Sequence, residues 1–178
     1  MAPGDDGRGR SGGALVADGR AQGERAQRHP PRGELLDTSE ETIYSATEIN
    51  YLAPVFIAQV FFPLLKETSG SMLLFTSSSY TRGRSGYSLY SSAKAATVNL
   101  TQALADEWAG AKVRVNCINP ERTGTPMRTK AFGQEPPGSL LESEVVAQTS
   151  LDVLLSPQTG HIYDVRKDDP LGSLESST

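Results

Sequence analysis

Residues 71–94 have the sequence SMLLFTSSSYTRGRSGYSLYSSAK, which combines a strand, a polar loop and the start of a helix. The opening run SMLLFTS (71–77) is short and apolar, and such a run predicts a buried strand. The segment SSYTRGRSGYS is rich in serine, arginine and glycine and indicates a loop. Over 88–109, apolar side chains recur at helical spacing between Leu89 and Trp108. A buried strand that leads through a loop into a helix favours a layered α/β fold.

The flanking sequence continues this alternation. Residues 50–66 (NYLAPVFIAQVFFPLLK) have a helical pattern, in which Pro54 and Pro63 predict kinks or an early end. Two further strands and one further helix are predicted, at 112–118, 161–165 and 140–155. Strands separated by helices are joined by right-handed crossovers, so we predict a parallel three-layer sheet.

Residues 1–33 differ in composition from the rest of the chain. Gly, Arg, Ala, Asp and Pro dominate this stretch, which contains no Ile, Phe, Tyr or Trp. It can bury too little apolar surface to offset its ordering entropy. We therefore expect 1–33 to be a disordered tail or an out-of-frame segment, 34–166 to be the folded domain, and 167–178 to be a frayed tail.

Charge and composition exclude several classes of protein. The net charge of −4 argues against a nucleic-acid partner. Cys117 is the single cysteine, which excludes an internal disulfide and a cysteine-based zinc site. His29 and His161 are far apart, so we expect no metal. We find no signal peptide and no apolar run of about 18 residues, which predicts a cytoplasmic protein without a membrane partner.

The segment YSSAK (90–94) carries the main candidate chemistry. Tyr90 and Lys94 are four residues apart on the predicted helix and share one face. A neighbouring ammonium favours the phenolate, which makes the tyrosine a usable acid for a carbonyl or base for an alcohol. Tyr163 and Lys167 have the same spacing, but they lie at the edge of a strand with no serine-rich strand before them. Only the first pair is therefore predicted to be catalytic.

Hydroxyl groups precede this pair at the end of the predicted strand. The strand ends in Thr-Ser-Ser-Ser (76–79), and the carboxyl ends of parallel strands are where ligands bind. A hydroxyl at Ser77 or Ser78 can hydrogen-bond the same substrate oxygen that Tyr90 protonates. The alternation of the strand favours Ser78.

These motifs, followed by VRVNCINPERTGTP (113–126), resemble the short-chain dehydrogenase/reductase family. The resemblance implies a Rossmann-like α/β fold and NADP, or NAD, as cofactor. It makes Tyr90 and Lys94 catalytic and cofactor-binding residues. The family's usual spacing to the tyrosine favours Ser77, so both serines remain candidates, with Ser78 slightly preferred.

Further site residues follow from the resemblance alone. It implies that Thr125 hydrogen-bonds the nicotinamide carboxamide, with Pro120 beside it in the cofactor site. It also implies that Asn50 anchors a proton-relay water. Glu121 stands where the family usually has glycine, which leaves the path of that loop open.

One branch of the family matches in more detail. FTSSSYTRGR, SLYSSAKAA, NPERTGTPMR and TGHIYDVR resemble the reductase half of bifunctional cytidylyltransferase/reductase proteins, which reduce ribulose 5-phosphate with NADPH on the way to CDP-ribitol. Arginine forks bind phosphate, so a phosphorylated sugar substrate would account for the arginines of the two flanking loops. Those candidates are Arg82, Arg84, Arg122 and Arg128.

The glycine turn that the family uses to hold the cofactor pyrophosphate is missing from this sequence. Gly-x-x-x-Gly-x-Gly does not occur, and no apolar strand precedes Gly7, Gly9, Gly12 or Gly13. We therefore expect only the C-terminal half of a Rossmann-like sheet, with little or no reductase activity from this sequence by itself.

An incomplete sheet has consequences for partners. The strand at 71–77 is expected to have an open edge, and the helices to expose apolar faces. We expect these to favour a homo-oligomer through the helices at 40–66 and 88–109. The alternative to an enzyme is a non-catalytic remnant or interaction module that retains the motifs.

Overall fold

A four-stranded parallel sheet forms the centre of the molecule. The computed structural model describes residues 14–17, as backbone, and residues 33–169. The strands are β1 (Ala14–Ala17), β2 (Ser71–Phe75), β3 (Arg114–Pro120) and β4 (Ile162–Val165). Their spatial order is the same as their order in the sequence, and each neighbouring pair is parallel. The predicted parallel α/β fold is confirmed.

The edge of β2 is paired with β1, contrary to the expectation of an open edge. Ala14 lies opposite Ser71 and Ala17 lies opposite Leu74 in parallel register. The expectation that nothing before residue 34 joins the sheet is wrong for these four residues. The physical reason is that the backbone donors and acceptors of a sheet edge pair with an extended segment that reaches them. The remainder of 1–32 lies outside the described residues, so the limits of the tails stay a prediction.

Helices cover both faces of the sheet. The helices are α1 (Glu40–Thr47), α2 (Ala53–Thr68), α3 (Ser88–Trp108), α4 (Pro126–Phe132) and α5 (Ser143–Leu155). One face of the sheet packs against α2 and α3 around Leu74, Leu104 and Trp108. The other face packs against α5 around Leu73 and Val153. The result is the three-layer arrangement that the sequence predicts.

A single π-helical turn, Glu48–Leu52, joins α1 to α2. The N–H of Ala53 donates to the carbonyl of Glu48, five residues back. The turn ends two residues before Pro54, whose missing N–H interrupts the α-helical pattern. The early end predicted at Pro63 does not occur, because Ala58 and Leu65 are buried against the sheet on either side of this exposed proline.

The helical stretch Glu40–Thr68 is long and apolar enough to cross a membrane by length and composition, which the sequence analysis did not anticipate. Its most apolar window has a mean hydropathy of 1.4, and 17% of that window is buried. Core helices of globular proteins pass the same test, and α2 contacts β2. Large apolar side chains are exposed along the stretch, at Tyr44, Phe56, Val60 and Leu64.

The two leucines Leu74 and Leu155 offer a matched test of the core. Leu74 lies in β2 and is 1% exposed, whereas Leu155 ends α5 and is 81% exposed. We expect Leu74→Ala to lower the free energy of unfolding by about 2–5 kcal/mol, because it leaves a cavity in the core. Leu155→Ala should change it by about 0.5 kcal/mol or less. Equal losses in urea denaturation would contradict the described core.

Candidate active site

Two hydrogen bonds join the carboxyl end of β2 to helix α3. The ammonium of Lys94 donates to the carbonyl oxygen of Phe75 over 3.0 Å. The hydroxyl of Thr76 donates to the main-chain carbonyl of Lys94 over 2.8 Å. The Thr76 N–H donates in turn to the carbonyl of Ile118 in β3. The strand end and the middle of the helix are therefore held in one position relative to each other.

Tyr90 lies one turn before Lys94 on the same face of α3. The Lys94 ammonium is 5.6 Å from the centre of the Tyr90 ring. Both side chains are half-buried. The helix begins at Ser88, so the tyrosine belongs to its first turns, directly after the loop from β2. The pairing predicted from the spacing is present in the structure.

The two candidate serines have different surroundings. Ser77 is half-buried and caps a short 3-10 turn, Ser78–Tyr80. Its hydroxyl oxygen accepts hydrogen bonds from the N–H of Ser79 over 3.4 Å and from the Ser79 hydroxyl over 3.3 Å. Ser78 is exposed. The Ser77 hydroxyl is thus held at the strand end, and the Ser78 side chain faces solvent.

Asn50 lies in the π-helical turn, which packs against α3. Its side-chain amide donates to the carbonyl of Ala46 over 3.0 Å. Its own main-chain carbonyl would normally accept from the residue four positions on, which is Pro54 and has no N–H. The carbonyl of Asn50 therefore has no α-helical donor, and it lies on the element that adjoins the tyrosine helix.

The loop after β3 is tied to the end of β4 through Glu121. The N–H of Glu121 donates to the carbonyl of Val165, and its carboxylate accepts from the N–H of Lys167 over 3.0 Å. The acidic residue at the family's glycine position thus joins two strand ends, which defines the path that the sequence left open. Thr125 then caps α4, its hydroxyl oxygen accepting from the N–H of Arg128 over 3.2 Å.

The four predicted arginines fall into two groups. Arg82 and Arg84 line an open depression of about 400 Å³ in the loop after β2. Arg122 and Arg128 lie instead around Glu135, a residue that the sequence analysis did not single out. The two loops follow the carboxyl ends of β2 and β3, which are adjacent and parallel, so both loops lie at the C-terminal end of the sheet.

A polar cluster at the ends of β3 and β4 was also missed. The side-chain amide of Asn119 donates to the Asp164 carboxylate over 2.5 Å, and Arg166 pairs with the same carboxylate over 2.8 Å. Burial, followed by the charge of Asp164, raises the pKa of Tyr80 above its ordinary value. The sequence offered no direct signal for this cluster, because the register that places Asn119 opposite Asp164 belongs to the folded sheet.

The control pair Tyr163 and Lys167 belongs to different surroundings. Tyr163 is buried in the core on the α5 side of the sheet, with Leu73 and Val153. The ammonium of Lys167 donates to the carbonyl of Gly138. Tyr163 and Lys167 thus have the same spacing as Tyr90 and Lys94 but different surroundings.

A parallel three-layer sheet, with serines at a strand end and Tyr-x-x-x-Lys on the helix that follows, defines the short-chain dehydrogenase/reductase class of oxidoreductases. A family profile described as Enoyl-(Acyl carrier protein) reductase matches residues 26–158. The chain belongs to the short-chain dehydrogenase/reductase family, as the sequence predicts.

Within the family, the chain is similar to two curated bacterial proteins. The bifunctional ribulose 5-phosphate reductase/CDP-ribitol pyrophosphorylase Bcs1 of Haemophilus influenzae is 55% identical over 131 residues, which are 74% of this chain and 28% of that protein. The uncharacterized oxidoreductase YciK of Escherichia coli (strain K12) is 43% identical over 94 residues, 52% of this chain and 37% of YciK. The chain thus spans about a third of the length of these relatives.

Solved structures show the same fold over more of the chain. A putative short chain dehydrogenase from Pseudomonas syringae superposes with a TM-score of 0.73 at 29% identity, covering 86% of this chain and 61% of that one. A putative short chain dehydrogenase from Shigella flexneri 2a str. 301, complexed with NADP, superposes with a TM-score of 0.72 at 28% identity, covering 85% and 62%.

Proposed function

We propose that this chain is the reductase part of an NADP-dependent enzyme that reduces ribulose 5-phosphate to ribitol 5-phosphate. The observation that carries the proposal is the position of Lys94, which binds the Phe75 carbonyl and lies beside the Tyr90 ring. This geometry supports a site in which an acid and a cation act at a strand end, where ligands of parallel sheets bind. The 55% identity to Bcs1 supports the choice of substrate.

The residues present fit one end of the cofactor. Lys94 and Thr125 offer donors for the nicotinamide end, and Pro120 ends β3 at the same edge of the sheet. Thr125 uses its hydroxyl oxygen as an acceptor in the cap of α4, so its proton remains for a carboxamide oxygen. No glycine turn for the pyrophosphate occurs in this sequence. NADP is preferred to NAD from the resemblance to NADPH-dependent ribulose 5-phosphate reductases and from similar structures complexed with NADPH and NADP, whereas another similar structure is complexed with NADH.

The chain's own residues supply and move the proton. A bound reduced nicotinamide would supply hydride to the carbonyl carbon of the sugar. Tyr90 donates its phenolic proton to the carbonyl oxygen, and the Lys94 ammonium stabilises the phenolate that remains. Ser77, rather than Ser78, donates a hydrogen bond to the same oxygen in this proposal, because its hydroxyl is held at the strand end.

Asn50 completes the relay in this proposal. Pro54 leaves the main-chain carbonyl of Asn50 without its α-helical donor. A break in the α-helical hydrogen-bond pattern is a place where water can insert and bond to a carbonyl. A water held there connects the π-helical turn to Lys94 and returns a proton to Tyr90.

A non-catalytic interaction module is the second candidate. The observation that favours it is the exposed apolar stripe Phe56, Val60 and Leu64, spaced four residues apart on α2 and 57%, 66% and 58% exposed. Contiguous exposed apolar surface marks protein contacts. We propose that a second copy of the chain covers it. The outward side chains of α3 include Asn99, Gln102 and Glu107, so α2 carries most of the apolar face.

Loss of the tyrosine proton tests the enzymatic proposal. We define the joined version as this chain fused in frame to an N-terminal Rossmann half that carries the glycine turn. We expect the joined version to oxidise NADPH with ribulose 5-phosphate, and the 178-residue polypeptide to do so little or not at all. Tyr90→Phe should lower the turnover of the joined version by about 10²–10⁴-fold. Tyr163→Phe is the matched control and should retain turnover.

The serines provide a second comparison in the same assay. Ser77→Ala should reduce turnover by about 10²–10³-fold, whereas Ser78→Ala should change it only a few-fold. Robust Tyr90-dependent turnover by the 178-residue polypeptide would contradict the assigned cofactor contacts. Absence of turnover in the joined version would contradict the proposed reduction of ribulose 5-phosphate.

Charges on the apolar stripe test self-association. We expect the purified chain to be a dimer or larger in light scattering, and Val60→Glu with Leu64→Glu to make it monomeric, because buried unpaired charges are costly. Gln59→Glu, which adds a charge to an exposed neighbour on the same helix, should leave the assembly unchanged. A monomeric parent chain would refute the proposed contact.

A further inference from the structure

The loop after β3 closes on itself around a carboxylate. We define the arginine loop as residues 122–141. Its ends are joined by hydrogen bonds from the N–H of Leu141 to the carbonyl of Arg122 and from the N–H of Gly124 to the carbonyl of Leu141, each 2.8 Å. Inside the loop, Arg128 binds Glu135 in a bidentate pair through one edge of its guanidinium, with Nε–Oε2 at 2.5 Å and Nη2–Oε1 at 2.9 Å.

A second arginine faces the same carboxylate. Arg122 Nη1 is 3.8 Å from Glu135 Oε1, and the Arg122 side chain is 59% exposed. Glu135 and Arg128 are each 17% exposed. The hydrogen bond from Arg128 lowers the pKa of Glu135, so the glutamate is ionised at neutral pH. Two guanidinium groups thus share one negative charge, and the trio has a net charge of +1.

Arg128 is held by more than its ion pair. Its guanidinium carbon lies 4.4 Å from the centre of the Phe132 ring, which attracts the cation independently of Glu135. Glu135 sits between Gly133 (φ 77°) and Gly138 (φ 71°), whose left-handed backbone favours glycine. Arg128 is therefore held by Phe132 as well as by Glu135.

We infer that Glu135 is an internal counter-ion that occupies the anion position of the arginine loop, and that the phosphate group of the substrate displaces it. This rests on the proposed function, because it identifies the anion as the phosphate of the sugar. A phosphate monoester carries a charge of about −1.5 to −2 and three acceptor oxygens, so it satisfies two guanidinium groups better than one carboxylate does. The site therefore selects dianionic phosphate esters over neutral sugars and monocarboxylates.

Titration with inorganic phosphate tests the exchange directly. The 178-residue chain would be titrated by calorimetry at constant ionic strength, beside Glu135→Gln, Arg128→Gln and Glu67→Gln. We expect Glu135→Gln to tighten phosphate binding about tenfold, because the competing charge is gone. Arg128→Gln should lose measurable binding. Glu67→Gln makes the same charge change in the last turn of α2 and should bind like the parent chain.

Thermal unfolding separates a counter-ion from a structural brace. Without phosphate, Glu135→Gln should unfold at a lower temperature than the parent chain, although it binds phosphate more tightly. A brace would lower both stability and affinity, and that result would overturn the inference. Unchanged affinity, or an equal gain in Glu67→Gln, would overturn it too. If Glu135→Gln does not fold, Glu135→Asp shortens the reach and should tighten binding by a smaller factor; a weaker affinity would count against the inference.

The two proposals can fail separately. If phosphate exchange occurs as expected but the joined version does not reduce ribulose 5-phosphate, the proposed substrate is wrong and the anion exchange stands. If the joined version reduces ribulose 5-phosphate but Glu135→Gln does not raise phosphate affinity, the proposed function stands and the role of Glu135 is refuted.

Discussion

The contact between Lys94 and the end of β2 is the constraint on which the site depends. One side chain of α3 binds a strand carbonyl, and one strand hydroxyl binds the main chain of α3 at the same residue. Because Thr76 is buried and its N–H is also paired with β3, the junction has little freedom. Ser77, one residue beyond Thr76, and Tyr90, one turn before Lys94, take their positions from it.

The helical stretch Glu40–Thr68 both carries Asn50 and packs against the sheet. Pro54 interrupts the backbone pattern next to Asn50, and the π-helical turn absorbs the interruption without ending the helix. Farther along, Ala58 and Leu65 pack on the sheet, while the opposite side exposes large apolar groups. A helix with two apolar sides is stabilised when both sides are buried, and the sheet covers only one of them. We therefore assign the outer side to a second copy of the chain.

Local patterns predicted the elements well, because the period of apolar residues and the order of strand, loop and helix are properties of short segments. They could not predict the pairing of Ala14–Ala17 with β2, because the two paired segments are far apart in the sequence. Nor could they reveal the pairing of Arg128 with Glu135, since a loop's internal contacts follow from its backbone path. The roles of Tyr90 and Lys94 could be proposed from spacing only because the strand before them supplied a context that Tyr163 and Lys167 lack.

The distance between the hydroxyl oxygens of Tyr90 and Ser77 in a crystal structure of the 178-residue chain tests the assigned site directly. We predict that the two lie within hydrogen-bond reach, about 2.6–3.2 Å, or are bridged by one water. We also predict that the Lys94 ammonium binds the Phe75 carbonyl in that crystal. A Tyr90 hydroxyl beyond one-water reach of both Ser77 and Ser78 would contradict the assignment of these residues to one site.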